Sequence, residues 1–383
     1  MKIFDIIKPS ANYKNKNLLK VKMINRILIN GNFLCRNLTG IERFAFEICR
    51  HLDEILSKTE DKSLEFALLV PENAKIIPVY KNISLIRTGK LKNFPKWDLF
   101  YFQKMCKKFN STGLNFSNTA PLGKNCGYAF LHDIYAHDFQ EDFKSRKDKL
   151  IRFYSCINYK NIAKNAKKVL TVSEFSKKQI IKAYSVKEER ISIIPNGYDH
   201  FKNISEDNSI FSRFPILKEK EFFFTLGSLQ KRKNLNWIAR YAKIHPEQTF
   251  AISGKVIGGM YSELAELQSL KNVILLGYIS DSEVKALMKN CLAFVFPSYY
   301  EGFGIPPLEA LSVGAKIIVA KSASLPEIYG ESAQYIEADD INCNLVNLAA
   351  IPSKKDAVDE VLKKFTYSNS ANILYNVIKE AEI

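Results

Sequence analysis

The sequence has no CxxC pair and no histidine at zinc-ligand spacing from any of its cysteines. Its seven cysteines are scattered and odd in number, at positions 35, 49, 106, 126, 156, 291 and 343. This pattern predicts free thiols in a reducing compartment and argues against disulfides and metal ligation. We therefore expect a cytoplasmic protein.

Apolar runs of about 20 residues, the length that crosses a bilayer, are also missing. Residues 1–21 are polar and lysine-rich, which predicts that they form no secretory signal and leaves open whether they are ordered. The sequence has no internal repeat, no nucleic-acid recognition motif and no alternation of basic and aromatic residues. Nucleic acid is therefore not an expected partner, although a basic nucleic-acid-binding protein remains an alternative.

The positive charge of the chain is held by its first half. Residues 1–200 contain 36 Lys and Arg against 19 Asp and Glu (+17), residues 201–383 contain 20 against 21 (−1), and the two sum to the net charge of +16. An anionic membrane surface would suit the basic half, since each nearby basic residue contributes about 1 kcal/mol. The alternative is a lysine-rich, solvated surface.

The 383 residues predict two or three domains, and the 46% hydrophobic content predicts a sizeable core. Short apolar runs alternate with amphipathic segments along both halves, which predicts parallel sheets covered by helices. Ligands of such sheets gather at the carboxyl ends of the strands. The predicted strands are 26–31, 66–70, 128–131, 168–172, 222–226, 249–253, 273–276, 292–296 and 316–320.

The most informative stretch lies between residues 292 and 311. A buried strand at 292–296 leads to a loop with Gly302 and Gly304, and Pro306-Pro307 then opens a helix. Glycines allow bare backbone to approach a ligand, and the helix start offers unpaired N–H groups and a positive dipole end. The sequence therefore predicts a phosphate site here.

Two carboxylates, Glu301 and Glu309, frame this loop. Because like charges repel, neither suits a phosphate, whereas both can accept hydrogen bonds from sugar or ribose hydroxyls. A phosphate flanked by hydroxyls describes a nucleotide sugar. The alternative is that Glu309 answers the helix dipole and Glu301 is a solvated loop residue.

A second anion site is predicted after the strand at 222–226. The cluster Lys231-Arg232-Lys233-Asn234 lies between the end of that strand and a helix that contains Trp237. Side-chain cations there add to the backbone donors of the helix start. The alternative is a solvated basic loop.

The segment from Glu301 to Glu309 resembles the E-x7-E signature of the retaining family-4 glycosyltransferases. Gly314 and Leu325-Pro326-Glu327 lie where that family has them, and residues 172–176 and 193–199 resemble its "vSefs" and "viPNGvD" patterns. The resemblance covers the chain from about Arg26 onwards. It implies an α/β protein of the GT-B fold, with two Rossmann-like domains and a cleft between them.

The resemblance also implies a domain organisation. Residues 1–202 would form the acceptor-side domain, 203–219 the connection, 220–366 the nucleotide-sugar domain, and 367–383 a helix that packs back on the first domain.

By the same resemblance, the catalytic residues are Glu301, His132, Arg232 and Lys233. Glu301 would hold hydroxyls of the donor sugar, and Arg232 and Lys233 the diphosphate. His132 would hydrogen-bond a sugar hydroxyl; the alternative is a structural histidine. Many family members carry an arginine at the position of Ser228, so the assignment of Arg232 rests on the "RKN" form of the motif.

The remaining residues of the implied site bind the donor. Glu309 would hold the ribose, the glycine loop would lie against the phosphates, and two turns would border the sugar and the base. Gly40 has the alternative role of a simple turn glycine. These residues are Glu309, Gly302, Phe303, Gly304, Ile305, Gly40, Ser228, Tyr278 and Ile279.

The resemblance implies a retaining, metal-independent hexosyltransferase with no cofactor. The leading donor is GDP-mannose, and the acceptor a glycan or lipid-linked saccharide of bacterial surface polysaccharide, reached from the inner membrane face. UDP-hexoses and UDP-N-acetylhexosamines are alternative donors. A non-catalytic nucleotide-sugar-binding protein is the alternative from another class. Asp339-Asp340 is predicted to be loop rather than a metal site.

Overall fold

The computed structural model describes residues 25–227, 230–254 and 261–382, without the side chains of 261–264. Two separate sheets organise this part of the chain, and all of their strand pairs are parallel. The α/β prediction is therefore confirmed.

The first sheet has seven strands in the order β3-β2-β1-β4-β5-β6-β7. Its inner strands are apolar on both faces, as a sheet covered by helices on each side requires. In the centre, Ile29 pairs with Leu68 on one side and Leu114 on the other. The strands are Asn25–Asn30 (β1), Leu64–Val70 (β2), Ser84–Arg87 (β3), Thr112–Asn115 (β4), Tyr128–Phe130 (β5), Lys168–Thr171 (β6) and Ile191–Ile193 (β7).

The second sheet has six strands in the order β10-β9-β8-β11-β12-β13. Its central strands are the apolar runs that the sequence predicts at 222–226 and 292–296. The strands are Phe222–Leu226 (β8), Thr249–Ser253 (β9), Val273–Gly277 (β10), Ala293–Phe296 (β11), Ile317–Ala320 (β12) and Gln334–Ile336 (β13).

Sixteen α-helices are present in the described residues, and none of them is long and apolar enough to cross a membrane. They are Ile41–Lys58 (α1), Phe94–Lys96 (α2), Phe102–Lys108 (α3), Tyr135–Asp138 (α4), Arg146–Asn165 (α5), Glu174–Tyr184 (α6), Ser209–Arg213 (α7), Ile216–Glu219 (α8), Leu235–Ile244 (α9), Tyr261–Ser269 (α10), Asp281–Asn290 (α11), Ile305–Ser312 (α12), Leu325–Tyr329 (α13), Leu345–Ala350 (α14), Lys355–Lys364 (α15) and Tyr367–Glu382 (α16).

The last helix, α16, belongs to the core of the first half. Its apolar face, with Leu374 and Ile378 fully buried, packs with Ile48 and Leu52 of α1. The chain therefore crosses between the halves twice, once after β7 and once before α16. The segment 201–219 is also more than a polar connection, since Ile210 of α7 is fully buried in the core of the second half.

Candidate functional site

The candidate site lies where loops at the carboxyl ends of the strands of the two halves meet. Strand β5 of the first sheet leads to His132 and Asp133, strand β8 of the second sheet leads to the basic cluster, and strand β11 leads to Glu301. Each loop follows a buried strand, because a parallel sheet delivers its strand ends to one edge.

Four charged side chains meet between these loops. Lys233 Nζ lies 2.5 Å from Glu301 Oε1, and Arg232 Nη1 lies 3.6 Å from Glu301 Oε2. The same guanidinium reaches Asp133 Oδ2 of the first half at 3.4 Å. Two carboxylates therefore balance two cations in the free protein.

Burial raises the pKa of the Glu301 carboxyl, but Lys233 and Arg232 outweigh burial and hold this pKa below its ordinary value. Although Glu301 is only 5% exposed, these two cations keep its carboxyl ionised at neutral pH. Burial, together with the neighbouring Arg232 guanidinium, holds the pKa of Lys233 below its ordinary value, although the Glu301 carboxylate raises it. A further anion beside Lys233 would favour its charged form.

Local structure fixes Lys233. The residues Lys231–Lys233 form a single helical turn, and Asn234 follows with a φ of +56°, a conformation that asparagine tolerates. The Asn234 amide donates to the carbonyl of Pro297 at 3.0 Å. The backbone N–H of Tyr299 donates to the carbonyl of Arg232 at 3.1 Å. These bonds join the basic turn to the loop of Glu301.

The His132 imidazole is a buried, neutral hydrogen-bonding group. Its Nε2–H donates to the carbonyl of Phe116 at 2.8 Å, and its ring stacks on Phe130. Burial lowers the pKa of His132 to about 4. With Nε2 committed as a donor, Nδ1 is the remaining acceptor of the ring.

The glycine loop is packed against the first half. A Cβ at Gly302 would lie 2.3 Å from the carbonyl oxygen of His132, and the Gly302 carbonyl accepts a hydrogen bond from Ser173 Oγ at 2.6 Å. Gly304 has a φ of +90° and precedes α12 directly. The bare backbone at Gly302 therefore lies against His132, and its approach to a ligand stays a prediction.

Three predicted donor-binding residues turn their side chains into the core. Phe303 packs edge-on against Phe365 with ring centroids 5.2 Å apart, and Ile305 packs against the same cluster. Ile279 is 6% exposed in that cluster. In this structure, only the backbone of these residues can reach a ligand in the cleft.

The second carboxylate of the motif, Glu309, lies in the first turns of α12. His200 Nε2 is 3.1 Å from Glu309 Oε1, and both side chains are largely buried. His200 Nδ1 is buried without a hydrogen-bond partner among the described residues. His200 is absent from the sequence prediction; its only signal is its position directly after the segment 193–199.

Gly40 and the turn at 277–280 lie on opposite sides of another part of the cleft. Gly40, with a φ of +50°, precedes α1, and a Cβ there would meet nothing within 4 Å. In the next turn Arg43 bridges to Asp281 at the start of α11, with Nη2 and Oδ2 2.5 Å apart. Tyr278, which precedes Asp281 by three residues in the sequence, is 67% exposed. The described residues show no direct contact between Gly40 and Glu301.

Ser228 lies outside the described residues, so its place in the site stays a prediction. Sequence reasoning missed another contact between the halves. Asp142 of the first half accepts a hydrogen bond from Tyr299 Oη at 2.5 Å and forms an ion pair with Lys231. Asp142 stands in an irregular polar segment whose sequence gives no sign of partners so distant in the chain.

A cavity of about 710 Å³ opens next to these loops. Its lining combines aromatic rings and polar side chains of both halves, including Phe139, Phe175, Tyr299, Gln179 and Lys182. Aromatic faces beside hydrogen-bonding groups are surfaces that suit sugar rings.

Two family models match the chain. "Glycosyl transferases group 1" matches residues 206–341, and "Glycosyltransferase Family 4" matches residues 119–201. The matched ranges contain His132, Arg232, Lys233, Glu301 and Glu309.

Individual proteins are similar over most of the chain. The O-antigen chain mannosyltransferase RfbU of Salmonella typhimurium is 26% identical over 273 residues, which are 69% of this chain and 72% of that protein. The UDP-Gal:alpha-D-GlcNAc-diphosphoundecaprenol alpha-1,3-galactosyltransferase of Escherichia coli is 27% identical over 287 residues, 71% of this chain and 70% of that protein. Among solved structures, a sucrose-phosphate synthase from Thermosynechococcus elongatus is similar with a TM-score of 0.67 and 16% identity, and covers 93% of this chain and 98% of its own.

Proposed function

This chain belongs to the family-4 glycosyltransferases with the GT-B fold, and from that premise we propose that it transfers a mannosyl group from GDP-mannose with retention of configuration. Its membership and its glycosyltransferase class rest on the two family models and the related enzymes. The donor, the stereochemistry and the independence from a metal are our proposal.

The observation that carries the proposal is the arrangement of Glu301, Lys233 and Arg232. In the free protein, the two cations neutralise a buried carboxylate. A donor diphosphate would draw both cations toward its own oxygens, because phosphate and guanidinium or ammonium groups form strong charge-assisted hydrogen bonds. Glu301 would then be released to accept hydrogen bonds from hydroxyls of the sugar.

In the proposed reaction, the bond between the anomeric carbon and the diphosphate oxygen breaks, and the acceptor hydroxyl oxygen forms a bond to that carbon from the same face. The hydroxyl proton passes to the departing phosphate oxygen. Negative charge develops on the diphosphate, where Lys233, Arg232, the backbone N–H of Ile305 and the positive dipole end of α12 can stabilise it; Pro306 and Pro307 have no N–H to donate. No divalent ion is required in this scheme.

His132 and Glu309 have binding roles in the proposal. A neutral His132 can accept a hydrogen bond from a sugar hydroxyl at Nδ1, and a charged imidazolium would not suit this role. Glu309 would accept from the ribose hydroxyls, with His200 holding the carboxylate from its other side. Closure of the two halves around the donor would exclude water.

The related enzymes support mannose as the sugar. RfbU, at 26% identity, is named as an O-antigen chain mannosyltransferase, and O-antigen chain mannosyltransferase B of Escherichia coli is 27% identical over 46% of this chain and 49% of that protein. UDP-galactose is the second candidate, because the galactosyltransferase at 27% identity covers a similar share of the chain.

The acceptor in our proposal is a glycan or lipid-linked saccharide of surface polysaccharide synthesis. The named acceptor of the galactosyltransferase, a diphosphoundecaprenol-linked sugar, is the model for this class. We place the reaction on the cytoplasmic face of a membrane, where such an acceptor is reached from water.

A panel of nucleotide sugars, incubated with purified protein and assayed for release of nucleoside diphosphate, tests the proposal. We expect GDP-mannose to give the highest rate. Glu309→Gln should raise KM for the donor by about tenfold, since it weakens a hydrogen bond to a charged acceptor. A higher rate with a UDP-sugar would reject the proposed donor. No release with any donor in the presence of lipid-linked acceptors would reject the proposed reaction.

A further inference from the structure

Helix α5 exposes a row of large apolar side chains that nothing in the described structure covers. Leu150, Ile151, Phe153 and Ile157 are 67%, 48%, 63% and 43% exposed. Leu150, Phe153 and Ile157 follow one another at intervals of three and four residues, so they share one face of the helix. An exposed apolar row of this kind is typical of an interaction surface.

Leu122 extends the apolar row beyond the helix. The Asn161 amide of α5 donates to the carbonyl of Pro121 at 3.0 Å, and its Oδ1 accepts from the backbone N–H of Gly123 at 3.0 Å. These two bonds hold Leu122, 43% exposed, beside the later turns of α5. We call Leu122, Leu150, Phe153 and Ile157 the apolar patch; Ile151 lies on another side of the helix.

Basic residues border the apolar patch, with the exception of Arg152, which lies on the opposite side of α5. The helix has six basic residues against the single acid Asp148, and that acid is engaged in the capping box with Ser145. Lys144 and Lys124 stand just outside the helix, and both are exposed. The basic residues of α5 are Arg146, Lys147, Lys149, Arg152, Lys160 and Lys164.

The opposite side of α5 faces the candidate site. Arg152 Nε donates to the carbonyl of Ala136 at 3.1 Å, in the short helix α4 that directly follows His132 and Asp133. The buried residues of α5 pack into the first half; they are Asn158, Tyr159, Asn161, Ile162 and Ala163. A surface bound by the apolar patch would therefore lie behind the acceptor side of the cleft.

We propose that the apolar patch and its basic surround dock this protein on an anionic lipid bilayer, with the apolar side chains at the level of the acyl boundary. Apolar side chains bordered by lysine and arginine suit an interface with negative headgroups. The choice of a bilayer as partner rests on the proposed function, since a lipid-linked acceptor is reached there. The +17 charge of residues 1–200 adds to the attraction.

Sedimentation with vesicles of phosphatidylglycerol and phosphatidylcholine tests the inference. We expect binding that falls with added salt and is weak on vesicles of phosphatidylcholine alone. The double variant Leu150→Asp, Phe153→Asp should weaken binding at least about tenfold, because each side chain loses a favourable transfer from water. The charge reversals Arg146→Glu and Lys149→Glu should each weaken it about fivefold.

Ile244→Asp is the matched control. Ile244 is 56% exposed at the end of α9 in the near-neutral second half, and its variant should bind vesicles like the unmodified protein. Equal loss in the control, or undiminished binding of the α5 variants, would overturn the inference. It would also be overturned if the protein ignored anionic vesicles and formed a dimer that Phe153→Asp separates.

An assay of nucleoside diphosphate release with a water-soluble acceptor distinguishes the docking proposal from the proposed transfer reaction. The α5 variants should retain this activity while losing vesicle binding. Vesicle binding without activity on any donor would reject the proposed reaction and leave the docking surface standing.

Discussion

The two halves of the molecule share one architecture and distribute their charge in different ways. The first half carries +17 and the second −1. Around Glu301 this order is reversed: the first half contributes Asp133 and Asp142, and the second contributes Arg232 and Lys231 as their partners. The excess positive charge of the first half is therefore elsewhere, and part of it surrounds the exposed face of α5.

The net charge of a domain therefore does not indicate the charge of its binding surface. A nearly neutral half holds the buried cations that suit a diphosphate. Around Glu301, the strongly basic half presents the neutral imidazole of His132 and the acids Asp133 and Asp142. The cations inside the cleft suit the diphosphate of a donor, and the cations outside the cleft suit a larger anionic surface.

Among the predicted changes, Lys233→Ala should have the largest effect on activity, because it removes a buried cation from the side of the cleft that the second half forms. We expect kcat to fall by about 10²–10³-fold, the usual cost of losing one charge-stabilising group at a reacting centre. Steady-state kinetics of nucleoside diphosphate release measure this loss.

Lys231→Ala is the matched control for that prediction. It removes a cation from the same turn, but one that is 47% exposed and pairs with Asp142. Asp142 is largely buried, but in this variant it keeps its hydrogen bonds from the hydroxyls of Tyr135 and Tyr299, so the change in kcat should stay within a few-fold. If both variants lose activity equally, the buried position of Lys233 has no special role. Denaturation curves of both variants check that the fold persists.

The pH dependence of stability tests whether His132 is neutral in the folded protein. The pKa of His132 in the folded protein is about 4, below the ordinary value of 6.5. Between these pH values the histidine is therefore protonated in the unfolded chain and neutral in the folded protein. Stability therefore falls as pH falls through this window. Between pH 7 and pH 5 the cost is about 2 kcal/mol.

Urea unfolding of the protein and of His132→Gln at both pH values measures this contribution. The variant lacks the titrating group and should lose about 2 kcal/mol less than the unmodified protein on going from pH 7 to pH 5. A parallel loss in the two proteins would show that His132 is not held neutral by burial.

Much of the second half could be predicted from the sequence. The strands β8 and β9 were predicted at their observed bounds, because apolar runs end there in glycine or polar turns. Glu301, Arg232 and Lys233 were predicted as one site, and the structure brings their charged groups within 2.5 to 3.6 Å. The family prediction and the α/β fold are confirmed. The roles of the individual site residues and the domain bounds stay predictions.

The missed features depend on contacts that are distant in the chain. Strand β4, Thr112–Asn115, is short and contains a glycine, yet it lies at the centre of the first sheet between β1 and β5. The segment Trp97–Tyr101 forms a π-helical turn directly before α3, a feature that the sequence analysis does not predict. Asp142 and His200 form ion pairs with residues of the other half, and hydrophobic periodicity along the sequence does not predict such long-range pairs.

The smallest expected effect concerns a contact that joins the halves without an ion pair. Both oxygens of Glu327 accept backbone N–H bonds from α6 of the first half, from Glu174 at 2.7 Å and Phe175 at 2.8 Å. A carboxylate at a helix start is stabilised by the dipole as well as by these bonds, so Glu327→Gln should lower the free energy of unfolding by about 1 kcal/mol.

Glu331→Gln is the matched control, since Glu331 is a neighbouring carboxylate whose side chain is 73% exposed and pairs only with exposed Lys354 among the described residues. Its loss should be about 0.5 kcal/mol or less in the same urea titration. Because Glu327 joins the halves, its variant should also raise the ratio of donor hydrolysis to transfer, as water enters a looser cleft. An unchanged ratio together with unchanged stability would mean that α6 and Glu327 are merely adjacent, and that the other contacts between the halves, such as Arg232 with Asp133 and Arg43 with Asp281, hold them together.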